Sequence, residues 1–337
     1  MADDDRPDRV VIVGGGRWAR VLVPELVGLL ARDVPLAIVS PGSAADMQRW
    51  LRKNAALTGL TVDIGTDFPA CANTGELALA IVANRPVDHV SAAAAMIERG
   101  YHVLVEKPLA IDPGDARRLV ALGQRSRRTV MAGLTQLFAP YIQAFRELLP
   151  FAPGEIDRFD LAWQDPAEET RYGEIKRPDA ETGIALDLVP HAWSLARALV
   201  STGAPMTMAL SKSNDAETEI TVEARIGDCA GTFRLSRAAP ARRRRLDLWT
   251  ATQTATLDFT KGPMIATIDG APPVLLPERV TGGGAIAREW RYFLARARDI
   301  QAGIEPPHHP ACGAQTIEAV ELACAIDRAV QARRRTR

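Results

Sequence analysis

Three groups of residues in this sequence have types and spacings that could do chemistry. The first is Asp187 and His191, in the segment GIALDLVPHAW. Four residues apart, they fall on one face of a helix, about one turn from each other. An imidazole, with an ordinary pKa of about 6.5, suits proton transfer near neutral pH, and an Asp-His pair near a helix start can point into a cleft. Pro190 withholds one backbone donor, so the helix either begins there or is kinked. The second group is Glu106-Lys107-Pro108, directly after the apolar run 101–105. Open α/β sheets place their ligands at the carboxyl ends of parallel strands, and a lysine there can donate to a substrate oxygen or nitrogen and stabilise developing charge. The third is the turn Gly14-x-Gly16-x-x-Ala19 within VVIVGGGRWAR. Gly14 permits a tight turn, Gly16 lets the backbone approach a diphosphate, and Ala19 keeps the following helix close to the strand. The helix start adds free N–H groups and a partial positive charge. Each group also has a plainer reading: a solvated strand end, a structural histidine, or a glycine turn needed only for packing.

These residues need elements to hold them. VVIV at 10–13 reads as a buried strand running into the glycines, followed by a helix over 18–31 with Pro24 in or near its first turns. Further apolar runs at 36–39, 77–82, 101–105 and 130–132 read as strands. Between them lie the turn Ser40-Pro41-Gly42, an Ala-rich helix over 87–99, and a helix over 112–125 opened by Asp112-Pro113. Strands without alternation, separated by helices, imply a parallel sheet covered on both faces. Residues 1–133 are therefore expected to form a Rossmann-type, doubly wound α/β domain. Beyond it the pattern changes to alternation at 156–164 and 206–270, as in EITVEARI, CAGTFRL, RLDLWTA and ATLDFT. Residues 134–337 are expected to form an α+β domain with a large, open, mostly antiparallel sheet. A helix over 186–200 interrupts it, and helices over 285–302 and 312–332 can pack back on the first domain.

The glycine turn, placed after a buried strand and inside a βαβ pattern, points to a dinucleotide. A carboxylate for the ribose hydroxyls is usual at the end of the second strand, but Ser40-Pro41-Gly42-Ser43 stands there. Nothing at that point repels a 2′-phosphate, and Arg17, or Arg49 and Arg52, can supply positive charge. NADP is accordingly expected over NAD, unless Asp46 or a backbone group serves the ribose. Trp18, Asn84, Arg85 and His89 complete the expected cofactor set, with His89 alternatively a cap for its helix.

ALAIVANRPVDHVSAAAAMIERGYHVLVEKPLA, over 78–110, resembles the strand–helix–strand unit of the glucose–fructose oxidoreductase / inositol dehydrogenase (Gfo/Idh/MocA) family, which ends in an EKP tripeptide. The glycine turn, MAGLTQLFAP, GIALDLVPHAW and the C-terminal helices follow in the family's order. The resemblance implies a nicotinamide-dependent enzyme in which Lys107 is catalytic, Glu106 contacts the cofactor, and a cis bond can precede Pro108. It implies that His191 gives or takes a proton, with Asp187 as its partner or a substrate contact. It also implies homodimers or homotetramers. Three positions depart from the family: Leu137 replaces a basic residue, Ser194 replaces an aspartate, and a glycine cluster is reduced to Gly183. These departures weaken the case for a standard polyhydroxylated sugar. The expected reaction is hydride transfer at a carbonyl or alcohol carbon of a sugar, cyclitol or related molecule. Reduction of a C=N bond and a non-catalytic, cofactor-binding sensor are the rivals.

Bulk properties agree with a two-domain globular chain: 337 residues, 47% of them hydrophobic. Lys+Arg and Asp+Glu are equal at 41 each, which gives no basic excess for nucleic acid. Charge is uneven only at the ends, with Asp3, Asp4 and Asp5 at one and arginines at 333–337 at the other. The four cysteines form no CxxC pair, no apolar stretch of about 18 residues suggests a membrane span, and the start has no signal-peptide pattern. The cytoplasm is the expected compartment. His308, His309 and Cys312 cluster in a proline-rich loop, and no metal is expected there. The arginines at 242–245 are expected to be a solvated strand start or a contact edge.

Overall fold

A computed structural model describes the chain apart from residues 1–5, 32, 55–61, 172, 177–180, 201–202 and 336–337. Asp3, Asp4, Asp5 and Arg337 lie outside the described residues. The chain divides into two compact units, one of residues 1–133 with 286–317, the other of residues 134–285 with 318–337.

The first unit is built on six parallel strands: β1 (Arg9–Val13), β2 (Leu36–Val39), β3 (Val62–Gly65), β4 (Ala78–Val82), β5 (His102–Glu106) and β6 (Val130–Gly133). Their order is β3-β2-β1-β4-β5-β6. The chain starts at the centre, winds out to β3, then returns to β4 and winds out the other way. The carboxyl ends of β1 and β4 therefore flank the point where the order reverses, the usual ligand crevice of such sheets. All five residues of β4 are buried, as expected of a strand without polar alternation. The described helices between the strands are α1 (Arg17–Val27), α2 (Ala44–Lys53), α3 (His89–Glu98) and α4 (Pro113–Arg125). Asp112 caps α4 by accepting from the amides of Gly114 and Asp115, at 2.7 and 3.0 Å.

Two expectations are corrected here. Pro24 lies near the end of α1, not in its first turns, and the helix stops at Val27 instead of reaching residue 31. A proline in the interior removes one donor, and only one further turn forms after it. Strand β3 was not anticipated. It is a four-residue edge strand whose residues are alternately half-buried and exposed, so it offers no apolar run to read.

The second unit carries α5 (Pro140–Leu148), β7 (Arg158–Gln164), the short hairpin β8 (Glu169–Arg171) and β9 (Glu174–Lys176), and α6 (Ile184–Leu199). Strands β10 (Met206–Ser213), β11 (Glu219–Ile226), β12 (Cys229–Ser236), β13 (Arg243–Trp249), β14 (Thr254–Asp258), β15 (Met264–Ile268) and β16 (Val274–Leu276) follow. They join β7 in an eight-stranded sheet ordered β10-β11-β12-β7-β13-β14-β15-β16, antiparallel except where β7 meets β12. Helix α6 packs on β7, β11 and β12, so the residues facing it are apolar and buried: Phe159, Leu161, Trp163, Val222, Phe233 and Leu235. Helix α7 (Ala285–Gln301) belongs almost wholly to the first unit, and α8 (Ala314–Arg335) passes from the first unit to the second at residue 318. Among the described residues, no helix is long and apolar enough to cross a membrane.

Gly231 stands beside Phe159 in the parallel β12–β7 register, and an added Cβ would lie 1.9 Å from the Phe159 ring. The ring fills the space that any other side chain at 231 needs. Gly231→Val is therefore expected to lower stability by about 1–3 kcal/mol, the range for overpacking a core. A urea midpoint equal to wild type would show that the ring can move aside.

Candidate functional site

Where β1 ends, Gly14 adopts a φ of +125°, and a Cβ there would lie 2.5 Å from the carbonyl oxygen of Ala83. No L side chain tolerates both conditions. The Gly14 amide also donates to the Val39 carbonyl at 2.8 Å, so this one residue ties the ends of β1, β2 and β4 together. Gly15 is equally constrained, because a Cβ would meet the hydroxyls of Ser40 and Ser43 at 2.3 and 2.7 Å. Those hydroxyls lie 2.6 Å apart. Gly16 differs: it is exposed, and nothing lies within 4 Å of an added Cβ. It is the N-cap of α1 with no side-chain cap hydrogen bond, at a helix start of the kind that receives anions. A tight turn, an open glycine and an uncapped helix start are what a dinucleotide diphosphate requires, so the residues present fit that group.

Sequence reasoning assigned roles to Gly14 and Gly16 but missed Gly15. The signal was available in the run of three glycines facing a serine pair.

The other expected cofactor residues of the first unit lie at the same carboxyl edge. Arg17 and Trp18 occupy the first turn of α1, half-buried. Ser40 is buried, whereas Ser43, at the N-cap of α2, is half-buried. Asn84 follows β4. Arg85 is exposed and paired with Asp88 at 3.0 Å. Arg49 on α2 pairs with Asp46. His89 is not a cap. It is buried, with Nδ1 2.7 Å from the Pro108 carbonyl and Nε2 3.2 Å from that of Asn84. Burial lowers its pKa against the pull of the two carbonyls, and the ring lies between the loop after β4 and the segment after β5.

Glu106 ends β5 with its carboxyl group buried. Burial pushes that carboxyl from 4.5 up to about 7, against the opposing pull of the Trp18 indole and the Lys107 ammonium and amide. Gly133 makes room for it, since a Cβ at 133 would lie 3.0 Å from the carboxylate. Lys107 follows, half-buried, and the bond to the buried Pro108 is cis.

In the second unit, Asp187 and His191 lie one turn apart on α6, both half-buried. The helix starts at Ile184, so Asp187 is in its first turn and Pro190 is internal. Its missing N–H costs the bond that the Leu186 carbonyl would accept. The His191 imidazole lies against the Trp163 indole, with centroids 4.5 Å apart and planes within 5°. Arg244 lies over the same indole at 3.8 Å and grips Asp165 through two bonds from one nitrogen, at 2.7 and 2.8 Å. This corrects the reading of 242–245 as a solvated strand start at Arg244, which is buried with Asp165, whereas Arg243 at the start of β13 is exposed. Arg242 approaches Glu169 at 3.7 Å. An arginine run shows only charge in sequence, and the partners sit in the loop after β7 and at the start of β8. Ser194 donates to the His191 carbonyl at 2.8 Å and serves the helix backbone. Leu137 is half-buried in the short turn Thr135–Phe138.

His309 accepts from the Ala311 amide at 3.1 Å and is held down at about 4 by burial. Burial pushes the Cys312 thiol up to about 12. Among the described residues, no group of three or more His, Cys, Asp or Glu could hold a metal ion.

Residues 9–134 match the oxidoreductase family with an NAD-binding Rossmann fold, Gfo/Idh/MocA. A Salmonella typhimurium protein named as an oxidoreductase, YceM, is 42% identical over 60 residues, which span 18% of this chain and 19% of that protein. Among solved structures, UDP-N-acetylglucosamine 3-dehydrogenase GnnA from Acidithiobacillus ferrooxidans superposes with a TM-score of 0.72 at 19% identity, over 97% of this chain and 98% of its own. KijD10, a 3-ketoreductase from Actinomadura kijaniata in complex with NADP, has a TM-score of 0.72 at 19% identity, over 95% of this chain and 97% of its own. At these identities the structural likeness establishes a shared fold.

The raised Glu106 carboxyl gives a pH signature. The native state holds this proton more tightly than the unfolded chain, so the contribution to stability falls as pH rises from 4.5 to about 7. Glu106→Gln has no proton to lose there. Urea unfolding across that window is expected to show a steeper decline in wild type than in the variant, by up to about 3 kcal/mol. Parallel curves would mean that the carboxylate ionises in the native state without penalty.

Proposed function

We propose that this chain, which belongs to the Gfo/Idh/MocA oxidoreductase family through its Rossmann unit, transfers a hydride between a nicotinamide dinucleotide and a carbonyl or alcohol carbon of a sugar, cyclitol or related small molecule. The observation that carries this reading is the open Gly16 turn at the switch point, with Glu106 and Lys107 at the same sheet edge. The dinucleotide, when bound, supplies or accepts the hydride. Gly14, Gly16 and the first amides of α1 would hold its diphosphate, while Arg17, Trp18, Ser40, Ser43, Asn84, Arg85, His89, Glu106 and Pro108 would line or support the rest. Ser40 and Ser43 in place of a carboxylate favour NADP over NAD, and NADP is the dinucleotide in the KijD10 complex.

Lys107 donates a hydrogen bond to the substrate oxygen and stabilises the charge that grows on it during reduction. His191 or Lys107 then gives that oxygen a proton, and alcohol oxidation runs the same transfers backwards. Asp187 orients the imidazole or binds a substrate hydroxyl. Structural neighbours that are a UDP-N-acetylglucosamine 3-dehydrogenase and a 3-ketoreductase favour a ketosugar substrate. A second reading, NADPH-dependent reduction of a C=N bond, draws on Leu137 and Ser194 at positions where the family is more polar. The open face of the second unit's sheet favours a homodimer or homotetramer.

Purified protein with NADPH or NADH, tested against ketosugar, cyclitol and cyclic imine panels, separates these readings. Tight dinucleotide binding with no absorbance change in any panel would instead indicate a sensor. Lys107→Ala is expected to lower turnover by at least about 100-fold while NADPH affinity stays within a few fold. Near-normal turnover would remove Lys107 from the mechanism.

A further inference from the structure

Trp163 is buried at 1% exposure, yet its indole N–H finds no acceptor among the described residues. Burying an unsatisfied donor is unfavourable, and a phenylalanine or leucine would fill a core position without that cost. Trp193, also fully buried, shows the ordinary arrangement, donating to Glu318 at 2.8 Å. What Trp163 uses is its flat surface. The His191 ring lies parallel to it at 4.5 Å, and Arg244, its register partner on β13, lies over it at 3.8 Å. Arg244 is fixed in turn by Asp165, two residues beyond Trp163 on the same stretch of chain. The indole is thus held by a buried ion pair, and the imidazole by the indole.

We propose that Trp163 is a positioning residue for His191: its indole face fixes the plane of the imidazole, so that a ring nitrogen keeps the aim needed for proton transfer, with Asp165 and Arg244 anchoring the indole. This inference rests on the reading of His191 as a proton-transfer group. A parallel aromatic surface restricts rotation of the imidazole about its last torsion.

The test compares wild type, Trp163→Phe and Trp163→Leu by NMR of ¹³C-labelled histidine, with the His191 signal assigned from His191→Asn among the five histidines of the chain. Unchanged amide shifts in β11 confirm that each variant is folded. In Trp163→Leu, the His191 ring protons are expected to lose the upfield displacement that the indole face imposes, and the ring to become more mobile. Against the substrate found in the panels above, kcat is expected to fall about 10- to 100-fold with KM within about twofold, and Trp163→Phe to recover most of it. Unmoved His191 signals, or a lost displacement with kcat intact, would overturn the proposal. If wild type turns over nothing in any panel, the proposed function fails separately. Ring mobility then decides: a His191 ring as ordered in Trp163→Leu as in wild type overturns the positioning role, and a looser ring upholds it.

Discussion

The first unit depends on one close approach, that of the Gly14 backbone to the Ala83 carbonyl. At that point the ends of two neighbouring parallel strands converge so tightly that even a methyl group is excluded. The approach sets where α1 begins, and therefore where its uncapped amides lie. It brings the loops after β1, β2 and β4 within reach of one ligand, while β5 delivers Glu106 and Lys107 to the same edge. Ser40 and Ser43 close the turn from the other side against Gly15, so the three glycines do different work: strand convergence, hydroxyl packing and an open approach.

Buried polar groups are handled in contrasting ways in the two units. His102 is fully buried beside β6, its Nδ1 accepting from the Thr129 amide at 3.0 Å, and burial holds it down at about 4. It is a neutral, structural histidine. Glu106 is buried, with one oxygen finding no partner among the described residues, and burial makes its ionisation unfavourable. Such a carboxyl at a ligand-facing strand end is the sort of perturbed group that marks functional positions. The second unit takes the opposite course with Asp165 and Arg244, whose charges satisfy each other through bidentate bonds. Removing one partner of such a pair would strand the other in the core.

Much of this architecture was legible in the residues. Runs such as ALAIV, with no polar alternation, can only be strands covered on both faces, and EITVEARI or CAGTFRL can only bury one side. The glycine turn and the EKP unit carried their own context. What escaped reading was set by contacts between residues distant in sequence. Strand β3 exists because β2 offers an edge, not because VDIG is apolar. Arg244 looks like surface charge until Asp165, 79 residues earlier, is brought beside it. Nothing in the sequence around Trp163 announces that an imidazole will lie on it. His89 was read as a cleft residue or a helix cap; it is not the cap, and its ring lies between two carbonyls, one of them 19 residues away.

The first unit is also discontinuous, and this bears on how the chain is made. Residues 286–317 supply its last pieces: the Ala311 carbonyl accepts from Ala132 at 2.8 Å on the outer edge of β6, and Gln301 donates to Gly75 at 2.8 Å. A nascent chain that has emerged only as far as β6 therefore has the whole parallel sheet but an unfinished border. Those bonds must wait until about 170–180 further residues have left the ribosome. Over that interval the edge of β6 stands open, the condition under which strands recruit unintended neighbours. Residues 286–317 thus complete a unit whose sheet is made long before them.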